Sequence, residues 1–266
     1  MVYWLKTIRP LTSSIAGISA AITIYWGTND SLINSILLSF PILLITMAGF
    51  IINDIFDKER DKARKEDKPI AHENISVKDA RKTSILLIVG SFSIVLISGN
   101  QTAVFIVILA IIAIFLYTPI IYRLPIIKGF YTAILCCVPM LFGSTYSQRN
   151  IPLNMYLILV FFIMARELII DLKDYKYDAT FGLHTMPYYF GTKVSEIIGW
   201  LAMWISIILL ITFSTNIFGK ILACFALASL AFIQWLMLKN NKKAALYNSR
   251  LVLVLGSLAI ASTIMK

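Results

Sequence analysis

Charge is what this chain has least of. Asp, Glu, Lys and Arg make up 14% of its 266 residues, where a soluble domain carries about a quarter. Histidine occurs twice and cysteine three times. Cys136, Cys137 and Cys224 all fall in apolar stretches, with no spacing that suggests a metal site or a disulfide framework. They read as small packing residues. Also missing is the apolar–polar alternation of a membrane β-barrel. The first apolar run has no small-residue cleavage site and continues to full span length, so it reads as a helix rather than a removable leader.

What is present is apolar length. Hydrophobic residues make up 59% of the chain, and the mean hydropathy is +0.81. A membrane span needs about 20 mostly apolar residues. Runs of that kind predict helices at 11–28, 32–57, 77–98, 102–118, 126–147, 152–174, 193–213, 217–238 and 246–265. The expected fold is therefore all-α: a polytopic membrane bundle of nine transmembrane helices. It would form a single domain over 1–266, with two pseudo-repeated halves at about 1–122 and 123–266.

The sparse charge is sorted. With the N-terminus placed in the cytoplasm and the spans alternating, every Lys and Arg except Arg149, Lys220 and Lys266 falls on the N-terminal side. Basic loops stay cytoplasmic, so the net charge of +10 is a topology signal. Nucleic-acid binding would need a basic, solvent-facing domain, and the chain has no room for one. The 14 acidic residues are sorted further: all but Asp30 and Glu196 lie between Asp54 and Asp79 or between Glu167 and Asp178. Both clusters belong to the cytoplasmic ends of even-numbered spans.

Within the clusters one spacing occurs twice. Asp54, Asp57 and Asp61 stand at i, i+3 and i+7, and so do Asp171, Asp174 and Asp178. On a helix those offsets share a face, and Asn53 precedes Asp57 by one turn. Like charges so placed repel and call for cations. An all-oxygen set without His or Cys suits Mg²⁺, which binds through one or two carboxylates, waters and substrate phosphates. Two such faces opposed across a cavity would hold a diphosphate, with Arg64, Lys68, Arg123 and Lys176 near enough to meet its other oxygens. The competing reading is a solvated, charge-mixed loop, as in KERDKARKEDK. A repeat of the spacing on one membrane face argues against it. Transport sites lie near the bilayer midplane on broken helices, whereas these carboxylates are expected at helix ends.

At these residues the sequence resembles the UbiA superfamily of intramembrane prenyltransferases. NDIFDKERD matches the family's N-D-x-x-D-x-x-x-D, and KPIAHENIS resembles its continuation, with Lys68 in place of Arg. RELIIDLKDYKYDATFGLHTMPYYFG resembles the second motif at Arg166, Glu167, Asp171, Asp174, Asp178, Gly182, Thr185, Pro187 and Gly191. Ile170 occupies the usual Lys position and Tyr177 the usual Gly. Arg9-Pro10 fits an N-terminal R-P element. Tyr117 and Arg123 resemble a Y-[ST]-x-x-x-K-R segment whose Lys is Tyr122 here.

The resemblance implies a nine-helix bundle with a central cavity capped by cytoplasmic loops, Mg²⁺ as cofactor, and an isoprenoid diphosphate with a small acceptor as substrates. The expected metal ligands are Asn53, Asp54, Asp57, Asp61, Asp171, Asp174 and Asp178. Arg9, Lys68, Arg123 and Lys176 are expected at the diphosphate. Tyr117 is the candidate to face the allylic cation through its ring, and Asp57 and Asp171 are the carboxylates expected to matter most. An aromatic or quinone-precursor acceptor is the default. The REL…DLKD…D form leans toward the geranylgeranylglyceryl-phosphate, homogentisate and chlorophyllide branch. Terpene cyclisation is the intramolecular alternative, and a divalent-cation carrier the non-enzymatic one. The CDP-alcohol phosphotransferase motif is absent, since no Gly follows any of these aspartates. No obligate protein partner is expected, and the surrounding partner is the lipid bilayer.

Overall fold

A computed structural model describes residues 2–28, 31–117, 124–147, 151–214 and 216–239, with 241, 244, 248, 251–252, 255–256 and 258–259. Every element among them is helical, and no strand occurs among the described residues. Six helices are long and apolar enough to cross a membrane, and the 17-residue helix Gln101–Tyr117 is a shorter apolar one. Their outer surfaces carry large apolar side chains such as Ile33, Leu86 and Ile97, the last 86% exposed. Apolar area on that scale is unsuited to water and suited to lipid. The expected ninth span, 246–265, lies mostly outside the described residues.

The chain forms two compact units. The first comprises 1–123 and 138–150, the second 124–137 and 151–266. Unit one begins with α1 (Val2–Ile8), α2 (Pro10–Gly27) and α3 (Leu32–Phe56). A short α4 (Lys58–Ala63), α5 (Val77–Ile97) and α6 (Gln101–Tyr117) follow. Ser31 caps α3 by accepting from the Asn34 N–H at 3.2 Å. Ser76 opens α5 with the expected capping box: its Oγ accepts from the Asp79 N–H at 3.0 Å and donates to Asp79 Oδ2 at 2.7 Å. Pro41 lies inside α3, where it removes a backbone donor. Ser91 of α5 donates to the Pro41 carbonyl at 2.9 Å, a buried cross-helix tie. Ala20, Ile24, Ile42, Ile45, Val95 and Phe142 anchor the core. Gly143 permits a close approach there: a Cβ at that position would sit 2.5 Å from Thr23 Cβ and 2.8 Å from the Ala20 carbonyl oxygen.

Helix α7 (Pro125–Ser144) contributes its first part to unit two and its last part to unit one. Unit two continues with α8 (Leu153–Thr180), α9 (Met186–Phe213) and α10 (Ile217–Leu238). Helix α8 runs six residues past the expected end at 174, carrying its whole aspartate series in one helix. Helix α9 begins at Met186 rather than 193 and bends at Gly191, whose φ of 78° is the left-handed conformation glycine tolerates. Gly199 of α9 packs on α8, where its Cβ would lie 3.5 Å from Leu168 Cβ. Ser206 donates to the Ile158 carbonyl at 2.8 Å, again buried.

Candidate functional site

The first aspartate series differs from a single helical face. Helix α3 ends at Phe56, Asp57 sits at its C-cap with φ −88° and ψ 1°, and Asp61 belongs to α4. The backbone stays near-helical through the break, because the Asp57 N–H donates to the Asn53 carbonyl at 2.9 Å and the Asp61 N–H to the Asp57 carbonyl at 2.8 Å. The bend sorts the carboxylates into two environments. Asp54 and Asp61, both buried, converge on Lys68, whose Nζ lies 3.2 Å from Asp54 and 2.8 Å from Asp61. Asp57 turns instead to the buried guanidinium of Arg60. Asn53 is half-buried on the last turn of α3.

Arg9, the N-cap residue of α2, completes this cluster. Its Nη2 donates to Asp54 Oδ1 at 2.7 Å, and its guanidinium carbon lies 4.5 Å above the centre of the Phe50 ring. To do so Arg9 holds φ at 48°, a left-handed conformation unusual for a non-glycine residue. Burial pushes the Asp57 carboxyl up to about 6, with the Arg60 charge opposing the shift. Burial likewise raises Asp61, and Lys68 opposes it. The rim carries exposed ion pairs, Lys6–Asp67 at 2.7 Å and Lys58–Glu73 at 2.9 Å.

The second series keeps its spacing. Asp171, Asp174 and Asp178 are all buried on one face of α8, together with Glu167 one turn before Asp171. Lys173 lies 3.3 Å from Asp174. Lys176, expected near the diphosphate, is exposed on the other side of the helix, as its five-residue offset from Asp171 dictates. Lys128 of α7 occupies that place instead. It is 1% exposed, pairs with Asp171, and stands 3.7 Å from Glu167. The sequence held a signal for it: a lone ammonium within an apolar segment needs a buried partner. Tyr177 is exposed.

Tyr117 closes α6, half-buried. Arg123 lies outside the described residues. His72 bonds the Glu66 carbonyl at 3.0 Å in an exposed loop, and His184 stacks on Tyr188 with ring centres 3.9 Å apart. Among the described residues, no three acidic, His or Cys side chains are gathered tightly enough to form a ready-made metal cage. Both aspartate series are nonetheless all-oxygen donors at buried or half-buried positions, a chemistry that fits a hard divalent cation and not a thiophilic one.

The chain is similar to known proteins over most of its length. The model of the UbiA prenyltransferase family matches residues 14–256. The digeranylgeranylglyceryl phosphate synthase of Methanococcus aeolicus is 30% identical over 273 residues, covering 98% of this chain and 95% of that one. The apo structure of a UbiA homolog from Aeropyrum pernix K1 has a TM-score of 0.80 at 15% identity, covering 94% of this chain and 97% of that chain. A UbiA homolog from Archaeoglobus fulgidus bound to GPP and Mg²⁺ has a TM-score of 0.70 at 18% identity, covering 97% and 99%. At those identities the two structures speak to the fold alone.

Proposed function

The chain belongs to the UbiA prenyltransferase family, and from that membership we propose that it transfers a geranylgeranyl group, in the presence of Mg²⁺, to a geranylgeranylglyceryl phosphate within the membrane. The observation that carries the acceptor is the relative named digeranylgeranylglyceryl phosphate synthase, matched over nearly the full length of both chains. It favours the lipid acceptor over the aromatic default. Membership of a prenyltransferase family supports an isoprenoid diphosphate as donor.

Asn53, Asp54, Asp57 and Asp61 in the first motif, and Asp171, Asp174 and Asp178 in the second, are the residues that would hold the metal. Bound Mg²⁺ neutralises diphosphate charge and eases departure of the leaving group. The chain's own groups do the rest. Arg9 and Lys68 balance Asp54 and Asp61 and stand ready to donate to phosphate oxygens. Arg123 is a further candidate for that contact, whereas Lys176, on the far side of α8, is not. Tyr117 presents a ring face to the allylic cation that forms as the C–O bond breaks; such contacts are worth about 2 kcal/mol when desolvated. The apolar helices keep water from that cation until the acceptor attacks.

The proposed topology has nine spans in all, with the N-terminus and both aspartate motifs cytoplasmic and the two halves pseudo-repeated. No nucleic acid and no obligate protein partner enters this reading.

The test is a two-acceptor assay with purified protein, geranylgeranyl diphosphate and Mg²⁺. Prenylation of geranylgeranylglyceryl phosphate and not of homogentisate supports the reading. Prenylation of homogentisate alone, or diphosphate release with a cyclic hydrocarbon and no acceptor, overturns it.

A further inference from the structure

Position 170 lacks the lysine that usually precedes the first aspartate of the second motif; Ile170 stands there, half-buried on α8. Residues 167, 170, 171 and 174 are spaced i, i+3, i+4 and i+7, so a lysine at 170 would share the face of Glu167, Asp171 and Asp174. That face is buried and acidic. Buried carboxylates without a cation cost several kcal/mol each, and so does an ammonium inside a membrane segment without an anion. In unit two the structure solves both problems from the neighbouring helix. Lys128 of α7, almost wholly buried, brings its ammonium to Asp171 and to within 3.7 Å of Glu167. The α7 backbone passes close to α8 here: a Cβ on Gly129 would lie 3.8 Å from Glu167 Cβ, an ordinary contact.

We propose that Lys128 is a positioning residue of the second motif, supplying from α7 the ammonium that a lysine at position 170 would supply from α8. It rests on the reading of that motif as part of a metal–diphosphate site. Lys128 orients the carboxylate of Asp171 and limits the negative charge that a diphosphate must approach. Moving the charge should therefore restore what deleting it removes.

The test uses the full chain in detergent and three proteins: wild type, K128M and the double variant I170K/K128M. Thermal unfolding is measured without ligand, and binding of geranyl diphosphate is measured at saturating Mg²⁺. K128M is expected to unfold at lower temperature and to bind geranyl diphosphate at least about tenfold more weakly, with I170K/K128M recovering to within about threefold of wild type. If K128M does not accumulate, recovery of a folded, binding-competent I170K/K128M makes the same point. Wild-type binding in K128M, no gain on adding I170K, or failure of both variants to accumulate overturns the proposal. Wild type that does not bind geranyl diphosphate with Mg²⁺ overturns the functional reading instead. The ligand-free unfolding comparison then decides by itself whether the two positions exchange their charge.

Discussion

Lys68 donates to Asp61 Oδ2 at 2.8 Å across a loop that returns from the end of α4. The same ammonium lies 3.2 Å from Asp54 on α3, so one lysine spans the break in the first aspartate series. Both carboxylates are buried and Lys68 is about a quarter exposed. The contacts tie the loop to both helices.

Lys68→Met should consequently lower stability in the absence of substrate, by about 2 kcal/mol, the scale of a hydrogen bond to a charged group. Thermal unfolding of the purified protein in detergent measures it. Arg9→Met should act in the same direction, through Asp54. An unchanged midpoint in both would show that the loop is held by its apolar contacts, Ile70 and Ile75 against Ile51.

Removal of divalent metal should stop transfer, and Mg²⁺ alone should restore it. The reason is chemical: neither aspartate series includes His or Cys, and hard oxygen donors suit Mg²⁺. Product formation in excess EDTA, followed by Mg²⁺ addition, is the measurement. Full turnover in EDTA would remove the metal from the account.

Residues 64 and 177 are expected on one side of the membrane and residue 220 on the other, following the sorting of basic residues. Single cysteines placed at these positions, in a chain with Cys136, Cys137 and Cys224 replaced, should label from opposite sides. Labelling of 64 and 220 from the same side would refute the alternation of spans.

Gly143→Ala should destabilise unit one by about 1–3 kcal/mol, the usual cost of forcing added bulk into a packed core. The new methyl would meet Thr23 Cβ at 2.5 Å and the Ala20 carbonyl at 2.8 Å, and backbone cannot yield as a flexible side chain can. Thr23→Ala introduced alongside should recover part of the loss, which unfolding of both variants would read.

The second motif was legible because helix geometry alone places its members. Asp171, Asp174 and Asp178 lie on one uninterrupted helix, and the i, i+3, i+7 spacing puts them on its buried face. The same spacing misled at Asp54, Asp57 and Asp61. The residues after Asp57, Lys-Glu-Arg, are good helix formers, so nothing local announces the C-cap. Side-chain contacts hold the carboxylates on either side of the break, Asp54 by Arg9 from the start of the chain and Asp61 by Lys68 from the loop that follows. Lys128 was missed for the converse reason. Its partners are some forty residues away, and sequence patterns report neighbours on one helix better than neighbours on two. The expected start of α9 at 193 is late, because the chain is already helical from Met186 and only bends at Gly191.

The two aspartate series are proposed to act on one leaving group, and kinetics of Asp57→Asn, Asp171→Asn and the double variant are the direct test of that claim. Each single change should abolish most prenyl transfer, and the double variant should be little worse than either, as for residues that work as a unit. Near wild-type transfer in Asp171→Asn beside an inactive Asp57→Asn would contradict the claim. The repeated spacing would then be a coincidence of two helix ends.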